Sequence, residues 1–146
     1  MIMPGRQHQA LLLWAVRRMT ADGFVVAGFD GVADRGGSFN ALPTPFSLAG
    51  RRPDAWAAKD GGRLIAFAEA KSAGDILSRR TLSQLRTFGA VRMKDGASLC
   101  PLYVAVPREA APMLDEALRS AGLISARNVI RIHVPEVLLT ETGRAA

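Results

Sequence analysis

Two apolar runs meet across a pair of glycines in DAWAAKDGGRLIAFAEAKS, residues 54 to 72, and this stretch limits the fold more than any other. Gly61 and Gly62 can both adopt positive φ, so the spacing predicts a two-residue turn joining strands over 54–59 and 63–71. In that register Asp60 faces Arg63, and counting back sets Asp54 opposite Glu69. A turn that used all three residues of DGG would move the pairing by one. Directly opposed side chains have Cβ atoms ~5 Å apart on one face. Lys71 lies two residues beyond Glu69 and shares its face, because side chains alternate along a strand. Leu64 to Ala68 reads as a strand buried on both faces. Charged residues continuing such a strand are costly to desolvate unless they have partners or a chemical task.

Around this hairpin the chain alternates helices and strands. Residues 6 to 21 read as a helix ended by Asp22-Gly23, and 24 to 29 as a strand. Residues 30 to 53 are rich in Gly, Pro and Ser, which suggests a functional loop or a further short strand. Residues 74 to 91 read as a helix with Leu77, Thr81, Gln84 and Phe88 on one stripe. SLCPLYVAV is a strand whose first residues are put in question by Pro101. A helix over 108 to 121 closes at Gly122, residues 129 to 134 form a last strand, and the tail 141–146 is expected to be loose. The order αβββαβαβ predicts an α/β fold, a mixed sheet covered by helices on both faces. The chain has 146 residues, the usual size of one domain, so 1–146 is expected to form a single unit with its core over about 6–134.

Composition narrows the function. Cys100 is the lone cysteine, so an internal disulfide and a cysteine-based zinc site are both ruled out, and a reducing cytoplasm is the natural setting. No apolar run approaches ~20 residues, which argues against a membrane span. The net charge is +6 and the basic groups are mostly arginine, whose forks match phosphate oxygens. On charge alone nucleic acid is one expected partner, and an arginine-biased, solvated surface is the other reading.

Two carboxylates held ~5 Å apart repel unless a cation lies between them. Mg²⁺ suits Asp54 and Glu69, since it takes oxygen ligands, commonly one or two carboxylates with substrate phosphate and water. The backbone carbonyl of Ala70 would add another oxygen, and Lys71 would orient a water or stabilise developing charge. The plainer alternative is a structural Glu69–Lys71 pair at a sheet end, with Asp54 an ordinary strand-start residue after Pro53.

At these residues the sequence resembles the PD-(D/E)xK nuclease superfamily. Pro53-Asp54, followed across a short hairpin by Glu69-Ala70-Lys71, matches its motif, and the αβββαβ order over roughly residues 6 to 106 matches its restriction-endonuclease-like core. Ser72 and Gln84 resemble the Holliday-junction-resolvase and virus-type replication-repair branches. The resemblance implies a Mg²⁺-dependent endodeoxyribonuclease, with Mn²⁺ able to substitute. Asp54 and Glu69 would hold the metal and Lys71 would assist the water. Many members complete the metal site with a glutamate on the first helix. Here that region reads RQHQALLLW, so Gln9 or His8 is expected in its place. Structure-selective cleavage in the manner of a junction resolvase is the first expectation. A restriction-type or mobile-element endonuclease is the second, and a catalytically degenerate DNA-binding or assembly protein of the same fold the third. Because paired strands are often cut by paired sites, a homodimer is expected by analogy.

Other residues take supporting roles. Arg51 and Arg52 precede the motif and are placed to grip the DNA backbone, and Arg79, Arg80 and Arg86 would form a second grip, with Ser72 and Gln84 near the phosphate. His133 reads as an ordinary strand histidine, Cys100 as a small buried hydrophobe, and Trp14 and Trp56 as core rather than base-stacking platforms.

Overall fold

Helix α1 (Pro4–Ala21) leads into strand β1 (Val25–Phe29), and the hairpin strands β2 (Ala55–Lys59) and β3 (Leu64–Ala70) follow. Helix α2 (Arg79–Gly89), strand β4 (Leu102–Pro107), helix α3 (Ala111–Ser120) and strand β5 (Val129–Val134) complete the order. The computed structural model describes residues 4–30 and 42–139. The expected loose tail 141–146, and residues 31–41 of the Gly- and Pro-rich segment, lie outside them.

The five strands form one sheet in the order β1-β2-β3-β4-β5. The first two pairings are antiparallel and the last two parallel, so β3 is where the sheet changes direction. This is a mixed, open α/β sheet with helices on both faces. Against one face, Leu11, Leu12, Val16 and Met19 of α1 fill the shallow surface left by Ala55, Ala57, Ala66, Ala68, Ala70 and Ala105. Against the other, Leu85 and Phe88 of α2 and Leu114 and Leu118 of α3 bury Phe67, Leu102, Val104 and Val106. All six residues of β4 are buried, as befits a strand with parallel neighbours on both sides. Trp14 and Trp56 pack against these two cores, Cys100 is buried and His133 is exposed. No helix among the described residues is long and apolar enough to cross a membrane.

The hairpin ladder runs from Ala55↔Ala68 to Lys59↔Leu64. The turn is looser than a two-glycine one: Asp60, Gly61 and Gly62 all take positive φ (55°, 66° and 88°). The Arg63 amide still donates to the Asp60 carbonyl at 3.3 Å. The register keeps the expected parity, and continuing it one step sets Asp54 opposite Glu69.

Three boundaries differ from expectation. Helix α2 begins at Arg79, not at residue 74. Ser78 caps it, its Oγ accepting the Thr81 amide at 3.1 Å, and the preceding residues form turns in which Asp75 N donates to Ser72 O and Ser78 N to Asp75 O. The Ser78 hydroxyl takes the Thr81 amide and the Thr81 hydroxyl donates to the Asp75 carbonyl at 2.6 Å, side-chain bonds that stand in for helical ones at this point. Leu77 is consequently exposed, while Thr81, Gln84 and Phe88 keep the buried stripe. Strand β4 begins only after Pro101, which has no amide to donate. The first turn of the 108–121 helix is 3₁₀, over Arg108–Ala110.

Part of the segment before β2 is a small hairpin. Leu48 and Arg51 exchange both backbone hydrogen bonds, at 2.6 and 2.8 Å, around Ala49 and Gly50, which both have positive φ. It lies on the α2 side of the sheet, where Leu48 joins the core and Phe46 packs edge-on against Trp56 at 5.2 Å and Phe67 at 6.2 Å. Gly28 makes room for this layer: a Cβ there would sit 2.4 Å from Trp56 Nε1.

Candidate active site

Odd-numbered residues of β3 face α2, so Phe67, Glu69 and Lys71 fall in line on that side, and Asp54 meets them from the start of β2. Glu69 is fully buried. Its Oε2 accepts the Asp54 amide at 3.0 Å, and its Oε1 is buried with no hydrogen-bond partner among the described residues. Burial, and then the charge of Asp54, push the Glu69 carboxyl well above the usual carboxylate range.

Asp54 Oδ2 is doubly engaged. It accepts the Ala70 amide at 2.8 Å, and His8 Nε2, from α1 across the sheet end, lies 3.1 Å away. Burial by itself would raise the Asp54 carboxyl, but the His8 contact and the Ala70 amide outweigh it, and the group is held below its ordinary value. The same contact raises His8 above the ordinary imidazole value, against the opposing pull of its own burial. Lys71 Nζ donates to Oε1 of Gln84, which is buried in α2.

Apart from the fully buried Glu69, these groups line a cleft of about 240 Å³ bounded by His8, Asp54, Ala70, Lys71, Arg80 and Gln84. A second recess of about 190 Å³ adjoins it, sharing Asp54, Arg80 and Gln84 and adding Arg51, Arg52, Ser47 and Asp30. Arg51 Nε donates to Ser83 Oγ at 3.1 Å, and Arg52 pairs with Asp30 at 3.3 Å.

The fold therefore brings together Asp54, Glu69, Ala70, Lys71 and Gln84, with Arg51, Arg52 and Arg80 beside them. Of the two candidates on α1, His8 lies against Asp54 and lines the cleft, and Gln9 is buried and does not line it. Three expected contacts fall elsewhere. Arg86 turns to α3 and donates to the Ser120 carbonyl at 3.0 Å. Ser72 is bound to Asp75 at 3.1 Å and does not line the cleft. Arg79 is exposed at the start of α2 and lines neither recess. Asp75, Ser78 and Thr81 line the cleft without having been anticipated. The Ser78-Arg79-Arg80-Thr81 start of a capped helix was the available signal, since a serine cap there brings the α2 terminus to the end of β3.

A hard divalent cation fits the oxygen set. Asp54 and Glu69 offer carboxylates, and the orphaned Glu69 Oε1 lacks the partner a buried oxygen requires. No group of three or more His, Cys, Asp or Glu able to hold a metal occurs among the described residues. No family model, no curated protein and no solved structure matches this chain.

Proposed function

We propose that this protein is a metal-dependent endodeoxyribonuclease with a restriction-endonuclease-like core. The observation that carries the reading is the fully buried Glu69, its Oε1 orphaned, held against Asp54, which itself lines a cleft with Lys71 and arginines. Asp54 and Glu69 would hold Mg²⁺ or Mn²⁺, which when bound shields the charge of an attacked phosphate. Lys71, steered by Gln84, sets a compact cation against the charge that builds on the phosphate oxygens. Arg51, Arg52 and Arg80 draw the backbone into the adjoining recess. In the reaction, water oxygen bonds to phosphorus and releases a proton to solvent, one P–O ester bond breaks, and the departing oxygen takes up a proton, so that one water is consumed for each bond cut.

One observation favours a second reading. Helix α1 brings a histidine, His8, to Asp54 and no acid, and no group of three or more His, Cys, Asp or Glu able to hold a metal occurs among the described residues. A protein of this fold that binds DNA without cutting it would keep the same arginines. Incubation with linear, supercoiled, flapped and four-way DNA, in Mg²⁺, Mn²⁺ or EDTA, separates the two. Cleavage that stops in EDTA supports the nuclease. Binding without cleavage of any substrate supports the second reading, and undiminished cleavage in EDTA overturns the metal mechanism.

A further inference from the structure

We propose that the hairpin over residues 46–52 is a binding element for an unpaired nucleotide, with Phe46 stacking on the base while Arg51 and Arg52 meet the adjoining phosphates. The inference rests on the nuclease reading and names a substrate class for it: DNA with an unpaired base beside the scissile bond.

Phe46 is 42% exposed, uncommon for so large an apolar ring, yet it is not loose. Its contacts with Trp56 and Phe67 are both T-shaped, at interplanar angles of 71° and 69°. The ring is thus fixed by its neighbours with surface left for a partner, and a π face stacks on any base. The backbone beneath it is preformed. Leu48 and Arg51 close the turn, and Ala49 holds φ at 50°, a conformation that non-glycine residues rarely adopt. Little ordering remains to be done on binding.

Charge identifies the occupant. One residue past Phe46, Ser47 enters the recess formed by Gly50, Arg51, Arg52, Arg80 and Gln84. Asp30 and Asp54 also border it. Asp30 is matched by Arg52 in a pair that is about half exposed on both sides, cheap to rearrange around a phosphate. A peptide or lipid would use the exposed ring, but neither accounts for arginines opening onto the same cleft as Asp54. A nucleotide uses both.

The test is equilibrium binding of the full chain, in EDTA, to a single-stranded oligonucleotide carrying 2-aminopurine and to the duplex of the same sequence. Phe46→Ala, Phe46→Leu and Phe46→Trp are compared with wild type, with thermal melts alongside. Phe46→Leu keeps an apolar contact with Trp56 and removes the π face, so it remains informative if Phe46→Ala fails to fold. The expected result is a loss of single-strand affinity of about 5- to 150-fold in Phe46→Leu, with duplex binding changed less than about twofold. Phe46→Trp retains affinity and the quenching of 2-aminopurine. Equal losses on both DNAs, or no loss in Phe46→Leu, overturn the stacking role and leave the nuclease reading standing. Failure of the wild-type protein to bind any DNA overturns both.

Discussion

Lys71 Nζ donates to Gln84 Oε1, so the end of β3 is tied to the middle of α2 by one polar contact. A flexible four-carbon side chain would otherwise sample many positions at the rim of the cleft. On the nuclease reading, Lys71→Ala lowers the cleavage rate by about 10²–10³-fold, the usual effect of removing a donor aimed at developing charge. Gln84→Leu removes only the tether. It lowers the rate by about 10- to 100-fold and leaves DNA affinity near wild type, whereas Gln84→Glu, which keeps an oxygen acceptor, retains most of the rate. Single-turnover cleavage beside a binding titration checks all three.

Neutralising the acids separates chemistry from stability. Glu69→Gln abolishes metal-dependent cleavage and raises the melting temperature in EDTA, because it keeps the shape and removes an ionisable group whose charged form burial and Asp54 disfavour. Asp54→Asn also abolishes cleavage and leaves the melt near wild type, since an amide oxygen can still accept the Ala70 amide. Asp54→Ala strands that amide and costs about 1–3 kcal/mol. A melt of Glu69→Gln clearly below wild type would show that Glu69 is a structural group.

Much of this arrangement is written in the sequence, and the parts that are not have identifiable causes. Asp54 opposite Glu69 follows from a strand period of two and the parity set at Asp60–Arg63, both local. The contact of His8 with Asp54 spans 46 positions and depends on how α1 lies over the sheet, which no local pattern encodes. The start of α2 was misread because Ser72, Asp75 and Ser78 satisfy backbone groups that a periodicity argument assigns to a helix. The 48–51 hairpin lacks the Asn-Gly or Gly-Gly signature, Ala49 standing at a position that favours glycine.

Gly28 is a packing requirement. A Cβ at this position would lie 2.4 Å from Trp56 Nε1 and 3.2 Å from the backbone of Pro45. Gly28→Ala must displace the indole or the 42–52 segment, at a cost of about 1–3 kcal/mol in a urea melt. The displaced layer carries Phe46, so the variant also loses single-strand affinity.

Tyr103 supplies the pH dependence. It is the one tyrosine of the chain, it is buried, and its hydroxyl donates to Asp22 Oδ2 at 2.7 Å. Burial, and next the Asp22 contact, push the phenol well above its ordinary value. The folded state thus binds the proton more tightly than the unfolded chain. This contribution to stability is complete below the unfolded tyrosine value of about 10 and is lost as pH rises through the higher folded value. Melts above that pH fall more steeply for wild type than for Tyr103→Phe, and tyrosinate absorbance appears only together with unfolding.

The separations along the chain give the site an order of assembly. Asp54 and Glu69 are 15 positions apart and Lys71 and Gln84 are 13, while His8 lies 46 from Asp54. Closing the longest of these loops costs about 1 kcal/mol more entropy than closing the acid pair. Loop entropy thus favours the pairing of Asp54 with Glu69 forming ahead of the His8 contact. His8 acts as a late latch: its replacement speeds unfolding while leaving the folding rate nearly unchanged.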